Sequence, residues 1–407
     1  MNTPRSMRLQ IGLFGRRNAG KSSLFNRLLH QEVSIVSEVP GTTTDPVERA
    51  MELQPIGPVQ FIDTAGLDDA GVLGEKRTAK SRAVADRVDV ALLVTEAWAE
   101  DEKRLVSLFA EKKIPLIIVC TKADMRADRV LEQAAGEGGY GEVVTVSAVD
   151  GTGMARLREA LIRAVPEDFL TPATIIGDLV RPGSVVVLVV PIDKEAPRGR
   201  LILPQVQVLR DVLDQDACSL VVKERELAPM LKELKHPPAL VVTDSQAFLK
   251  VAADTPRDVL MTSFSVLFAR FKGDLYPLAR GAQALLRLKP GARVLMAEAC
   301  THHPICEDIG RVKLPRWLEQ SVGGKLEIVT SPGRDFPADV KDFDLIIHCG
   351  GCMLTRREML IRIERAKEAG VAITNYGLAI AACLGILDRA LEPFPAVTAR
   401  LKEMTPL

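Results

Sequence analysis

The chain has 407 residues, 47% hydrophobic and 26% charged, and its 53 Lys+Arg balance 53 Asp+Glu to a formal net charge of zero. At ~150 residues per domain this length implies two or three domains, and the lack of a basic excess excludes a protein that grips RNA or DNA through bulk electrostatics. No apolar run approaches the ~20 residues of a membrane span, and the first ten residues lack the apolar stretch of a secretory signal, so a cytoplasmic protein is expected.

From residue 8 to about 165, short apolar runs at 9–14, 60–64, 90–95, 115–120 and 143–147 alternate with helical patterns. Alternation of this kind predicts a mostly parallel sheet covered by helices. Polar and Pro-bearing residues at 166–172 read as a linker, so the first domain is placed at 1–170. A second domain, 171–274, is strand-rich, with expected strands at 185–190, 201–207, 219–223 and 239–243. Its polar residues form no catalytic cluster, which suits a packing or dimerisation module. A third domain, 275–407, returns to an α/β pattern with strands at 294–299, 326–330, 345–348 and 372–375 and a helix over 356–369. No internal repeat is visible in the sequence.

The first functional motif is Gly15-Arg-Arg-Asn18-Ala19-Gly20-Lys21-Ser22, which fits the GxxxxGK[ST] phosphate loop. It follows an expected strand and opens the helix that begins at Ser23, as phosphate binding requires. Glycines allow the tight turn, the amides and helix N-terminus cradle phosphates, Lys21 reaches the β- and γ-phosphates and the Ser22 hydroxyl binds Mg²⁺. Further elements follow in order: Thr43 within 41–45, Asp63-Thr-Ala-Gly66, Thr121-Lys122-Ala-Asp124, and Ser147-Ala148.

Their order and spacing resemble the GTP-binding domain of translation-factor-related GTPases, above all the branch that contains TrmE and Era. The resemblance covers about 8–165 and implies GTP hydrolysis. In it, Thr43 closes over the γ-phosphate and Mg²⁺, Asp63 holds the metal through water, and the Gly66 amide senses the γ-phosphate. Asp124 reads the guanine N1 and N2 hydrogens while Lys122 packs along the base. Two departures carry expectations. Thr121 replaces the usual Asn, which predicts a weaker tether between base loop and phosphate loop. Leu67 replaces the water-orienting Gln of Ras-like proteins, which predicts slow intrinsic hydrolysis. The resemblance also implies that Asn18 helps hold a K⁺ ion that accelerates turnover; the plain alternative is a loop-stabilising side chain.

Near the C-terminus stand Cys300-Thr-His302-His303 and, after the run 345–347, His348-Cys349-Gly-Gly-Cys352. Both pieces follow apolar β runs, and in a parallel sheet neighbouring strands expose their C-terminal ends along one edge. Cys300, Cys349 and Cys352 then make an incomplete thiolate set for a [4Fe–4S] cluster, leaving one iron for an exchangeable ligand. His302, Cys306, Glu307 and His348 are the candidates for that position. Structural zinc with Cys₃His ligation competes, as does a plain core reading. Cys120, Cys218 and Cys383 are expected as small buried apolar residues.

With Cys300-Thr-His302 and His348-Cys-Gly-Gly-Cys352 behind a phosphate-loop domain, nearly the whole chain resembles the HydF family of [FeFe]-hydrogenase maturation GTPases. That resemblance implies a GTPase domain, a middle dimerisation domain and a C-terminal cluster domain. It further implies a homodimer or tetramer that holds a [4Fe–4S] cluster and the binuclear iron subcluster precursor, and delivers the latter to apo-[FeFe]-hydrogenase. The radical-SAM maturases HydE and HydG would be partners, and neither nucleic acid nor membrane would. A TrmE-like tRNA-modification GTPase and a GTP switch with structural zinc are the competing readings.

Overall fold

The computed structural model describes residues 3–29, 35–38, 47–64, 83–125, 139, 141–170, 173–191, 201–299, 309–333, 336–337 and 339–403. The chain divides into two compact units, Met1–Pro172 and Ala173–Leu407.

The first unit is built on seven strands: β1 (Leu9–Phe14), β2 (Ile35–Glu38), β3 (Val47–Leu53), β4 (Gly57–Asp63), β5 (Val90–Thr95), β6 (Leu116–Cys120) and β7 (Glu142–Thr145). Their order is β2-β3-β4-β1-β5-β6-β7. Strands β4, β1, β5, β6 and β7 run parallel, while β2 and β3 add an antiparallel edge. The period-2 side-chain rule sorts the apolar residues onto two faces. Leu9, Ile11, Leu13, Leu92 and Val119 pack with α1 (Lys21–Leu29) and the helix Met154–Ala164, whereas Phe14, Leu93 and Ile118 pack against Val106 and Phe109 of the helix Glu100–Glu111. Cys120 is buried on that second face, as expected. The antiparallel edge is absent from the expected elements because Val47–Leu53 mixes charged and apolar residues and is half-exposed over its first three positions.

The second unit carries two four-stranded sheets. Strands β8 (Val185–Val189), β9 (Cys218–Val222), β10 (Leu240–Thr243) and β11 (Met261–Ser263) lie in the order β11-β10-β8-β9. Strands β12 (Arg293–Ala297), β13 (Glu327–Ser331), β14 (Leu345–His348) and β15 (Ala372–Asn375) lie in the order β13-β12-β14-β15. All neighbours in both sheets are parallel. Numbered within its own sheet, each order reads 2-1-3-4, a shared topology with no counterpart in sequence repetition. One continuous apolar core runs through both sheets, so the middle and C-terminal segments fold as one body.

Two expectations are corrected here. Residues 201–207 are not a strand: helix α2 (Leu203–Asp214) starts there, with Pro204 in its first turn and the Gln205 side chain accepting from the Ile202 amide at 3.1 Å. The apolar alternation of 201–208 imitates a strand, but the residues that reach the core are Val208 and Val212, one helical turn apart. Cys218 is exposed rather than buried, because β9 is an edge strand whose first side chain faces outward. Cys383 is half-buried.

Candidate functional site

The phosphate loop leaves β1 at Gly15, whose φ is +143° and whose missing Cβ would stand 2.1 Å from the Val94 carbonyl oxygen. Only glycine fits there. Asn18 and Gly20 also take positive φ, 62° and 89°, and the loop wraps round Lys21, whose Nζ donates to the carbonyls of Gly15 at 2.9 Å and Arg16 at 2.6 Å. The ammonium thus occupies the centre of a turn that feeds directly into α1.

Asp63 ends β4, in register with Leu13. The Ser22 Oγ donates to its Oδ2 at 3.2 Å, while its Oδ1 is buried with no hydrogen-bond partner among the described residues. Burial pushes the Asp63 carboxyl above its usual range, against the pull of Lys21. A hydroxyl and an orphaned buried carboxylate oxygen beside an ammonium fit Mg²⁺ and its waters.

On the base side, Thr121 makes a tether of its own in place of the usual Asn. Its Oγ1 donates to the Ala19 carbonyl at 2.7 Å and its amide donates to Thr95 O at 2.9 Å. A hydroxyl at this position therefore reaches the phosphate loop. The Asp124 carboxylate accepts from Ser147 Oγ at 2.8 Å, and that oxygen in turn accepts from the amides of Val149 and Asp150 at 3.2 and 3.3 Å. Ala148 follows in the same turn, and Lys122 pairs with Glu96. Thr43, Gly66 and Leu67 lie outside the described residues.

The C-terminal site sits where β12 and β14 run side by side, Ala297 opposite His348. In a 2-1-3-4 order the first and third strands bound the switch point at which open parallel sheets collect ligands. Here those strands are β12 and β14. The Cys349 amide donates to Ala297 O at 2.9 Å, and the Ala299 amide donates to the Cys349 Sγ at 3.2 Å. The residue preceding Cys300 therefore rests on the first thiol of the CxxC loop. Gly351 takes φ +61° and accepts from the Leu354 amide at 3.0 Å, which folds the loop back toward the helix Arg356–Glu368. Cys349 and Cys352 are both half-buried. Among the described residues no group of three His, Cys, Asp or Glu converges; Cys300, His302, Cys306 and Glu307 lie outside them. Two half-exposed thiols, one receiving a backbone N–H bond, are a donor set that fits iron–sulfur ligation.

His348 is removed from the candidate ligands. It is fully buried, its Nδ1 lies 2.7 Å from Cys349 O and its Nε2 lies 2.7 Å from Arg362 Nη1. Arg362 can only donate, so Nε2 accepts and Nδ1 carries the proton. Burial and the adjacent guanidinium push the imidazole down to about 3. Both ring nitrogens are committed beneath the loop.

Two basic residues of this site went unread in the sequence. Arg362 lies in the helix Arg356–Glu368 and stacks over Phe336 at 5.2 Å. Lys272 ends the helix Phe264–Lys272 and reaches the carbonyls of the CxxC loop. Burial draws its ammonium down to about 8, opposed by Cys352, Glu358 and Cys349. The available signal was a lysine closing the otherwise apolar run Phe264-Ser-Val-Leu-Phe, which by itself reads as a helix C-terminus.

Comparison with known proteins adds three family matches: the hydrogen maturase F tetramerization domain at 277–393, the hydrogen maturase F dimerization domain at 175–273, and the 50S ribosome-binding GTPases at 10–122. GTPase Der of Bartonella tribocorum is 36% identical over 164 residues, covering 39% of this chain and 34% of that protein. The tRNA modification GTPase MnmE of Koribacter versatilis is 39% identical over 165 residues, again 39% of this chain and 34% of that protein. The chain thus spans about a third of the length of these relatives. Among solved structures, an Aquifex aeolicus Era variant bound to GDP and AlF₄⁻ has a TM-score of 0.33 and 20% identity, over 61% of this chain and 99% of that one. Among the described residues no helix is long and apolar enough to cross a membrane.

Proposed function

Because the chain belongs to the hydrogen maturase F (HydF) family, we propose that it is the GTP-hydrolysing scaffold on which the binuclear iron precursor of the [FeFe]-hydrogenase active site is held and then handed to the apo-enzyme. The GTPase unit binds GTP with Mg²⁺ and hydrolyses it. Lys21 meets the β- and γ-phosphates, Ser22 and Asp63 hold the metal, and Asp124, braced by Ser147, selects guanine. Thr43 and Gly66 complete the γ-phosphate contacts. Turnover is slow, as Leu67 cannot orient water, and rises in K⁺ through Asn18.

Cys300, Cys349 and Cys352 hold a [4Fe–4S] cluster, with His302, Cys306 or Glu307 as the remaining candidates for the fourth position. When bound, that cluster supplies one iron open to ligand exchange, beside which the precursor is carried as cargo. The observation that carries this reading is the 3.2 Å hydrogen bond from the Ala299 amide to Cys349 Sγ. It brings the start of the Cys300 segment to the CxxC loop although 50 residues separate them. The dimerization and tetramerization segments make the protein a homo-oligomer. HydE and HydG load it, the hydrogenase unloads it, and the work is cytoplasmic.

Single Cys300→Ala, Cys349→Ala and Cys352→Ala variants test this reading. Each should keep GTPase activity, lose the absorption and paramagnetic signature of a reconstituted cluster, and fail to activate apo-hydrogenase. Normal activation by all three would end the scaffold reading, and zinc in place of iron in anaerobically purified protein would replace it with a structural site. Equal turnover in Na⁺ and K⁺ would remove the potassium role.

A further inference from the structure

The helix α3 (Phe264–Lys272) ends on a lysine that is 2% exposed. Its Nζ donates to the carbonyls of Gly351 at 3.2 Å, Cys352 at 3.0 Å and Leu354 at 2.8 Å. An ammonium has three protons, and three carbonyls of one short loop take them. The exchange runs both ways. Arg356 opens α4 (Arg356–Glu368), and its Nη1 returns to the carbonyls of Arg270 at 3.2 Å, Phe271 at 2.5 Å and Gly273 at 3.0 Å. Carbonyls at a helix C-terminus lack intrahelical partners, and here a cation from the loop's own helix supplies them.

A methionine would fill the same volume without the cost of burying a charge. The charge therefore needs a reason in the loop. Among the described residues the titratable groups that act on it are Glu358, which is tied to the Thr355 amide at 2.8 Å, and the thiols of Cys349 and Cys352. The Arg362 guanidinium is held against His348, its Nη1 2.7 Å from the Nε2.

We propose that Lys272 is a positioning residue for the iron–sulfur cluster: it fixes the carbonyls of the CxxC loop, so that Cys349 and Cys352 are presented in one arrangement, and it adds a positive charge close to a group that its thiolates would make anionic. This rests on the scaffold reading above. A loop held only by its own turns would be free to splay its two thiols, and each splayed state would add an entropic cost to metal capture. A fixed cation near the cluster favours its reduced, more negative form.

The test uses full-length wild-type protein, Lys272→Met, Lys272→Arg and Cys349→Ala, each reconstituted anaerobically with ferrous iron and sulfide. Iron per protomer, the rate of iron loss to a chelator and the cluster's reduction midpoint are read, with sedimentation as the check on assembly. Lys272→Met should lose iron about 10-fold faster or more, the range that outer-shell partners of metal ligands command, and its midpoint should shift negative. Lys272→Arg should restore the midpoint but not the retention, since a planar fork does not match three carbonyls around a point. Wild-type retention and midpoint in Lys272→Met, alongside a Cys349→Ala that takes up no cluster, would overturn the proposal and leave the scaffold standing. Wild-type protein that takes up no iron would overturn both. Should Lys272→Met not assemble, Lys272→Arg decides alone, and wild-type iron retention in it is the overturning result.

Discussion

The Thr121 hydroxyl and the Ala19 carbonyl are 2.7 Å apart, a bond that joins the base-recognition loop to the phosphate loop. Thr121→Val keeps the shape and removes the donor, leaving Ala19 O without this partner. A net loss of about 1 kcal/mol is expected, which is roughly a fivefold weakening of GTP binding. Thr121→Asn keeps a donor and should bind within about twofold of wild type. Nucleotide titration reads both, and a Val variant with wild-type affinity would show that the tether carries no binding energy.

The two glycines between Cys349 and Cys352 are not equivalent. Gly351 takes φ +61° and a Cβ there would meet the Met359 methyl at 2.6 Å, whereas a Cβ on Gly350 would meet no described residue within 4 Å. Gly351→Ala should cost about 1 kcal/mol, because the backbone stays in the left-handed region while Met359 moves aside. That is a drop of about 2–4 °C in the melting temperature of this unit. Gly350→Ala should be neutral. Calorimetry on metal-free protein distinguishes them, and an equal effect at both positions would contradict the assigned turn.

Burial pushes the Cys383 thiol up to about 11, with a hydrogen bond to Ser321 pulling weakly the other way. At pH 8 only about one such thiol in a thousand is ionised, and the thiolate is the reacting form. Its alkylation should therefore be slow at pH 8 and rise about tenfold per pH unit toward pH 10. Cys218, exposed in the protomer, should be labelled ahead of Cys383. Mass spectrometry of iodoacetamide-treated protein reads the order, and early labelling of Cys383 at pH 8 would refute its burial.

In the segment matched by the dimerization domain, Leu213 of α2 is 49% exposed and Val221 of β9 is 44% exposed. Among the described residues β9 is the edge of its sheet, and a parallel edge invites a second copy. A Leu213→Glu, Val221→Lys double variant should sediment as a smaller species with its GTPase activity intact. An unchanged sedimentation coefficient would place the contact elsewhere.

Most of the core strands and both functional motifs were legible because each rests on local chemistry. Runs such as Val90–Thr95 and Leu345–His348 are apolar enough to require burial wherever they fold, and the phosphate loop is set by its own glycines. What only the tertiary structure decided concerns partners far apart in the chain. The stretch from Leu201 could be strand or helix until Val208 and Val212 met the sheet. His348 resembled a ligand because histidine binds metal, yet Arg362, fourteen residues on, took its open nitrogen. Lys272 read only as a helix C-terminus, since the carbonyls it serves lie about eighty residues away. Sequence spacing encodes what one element does by itself; hydrogen bonds and charges between elements depend on where the fold puts them.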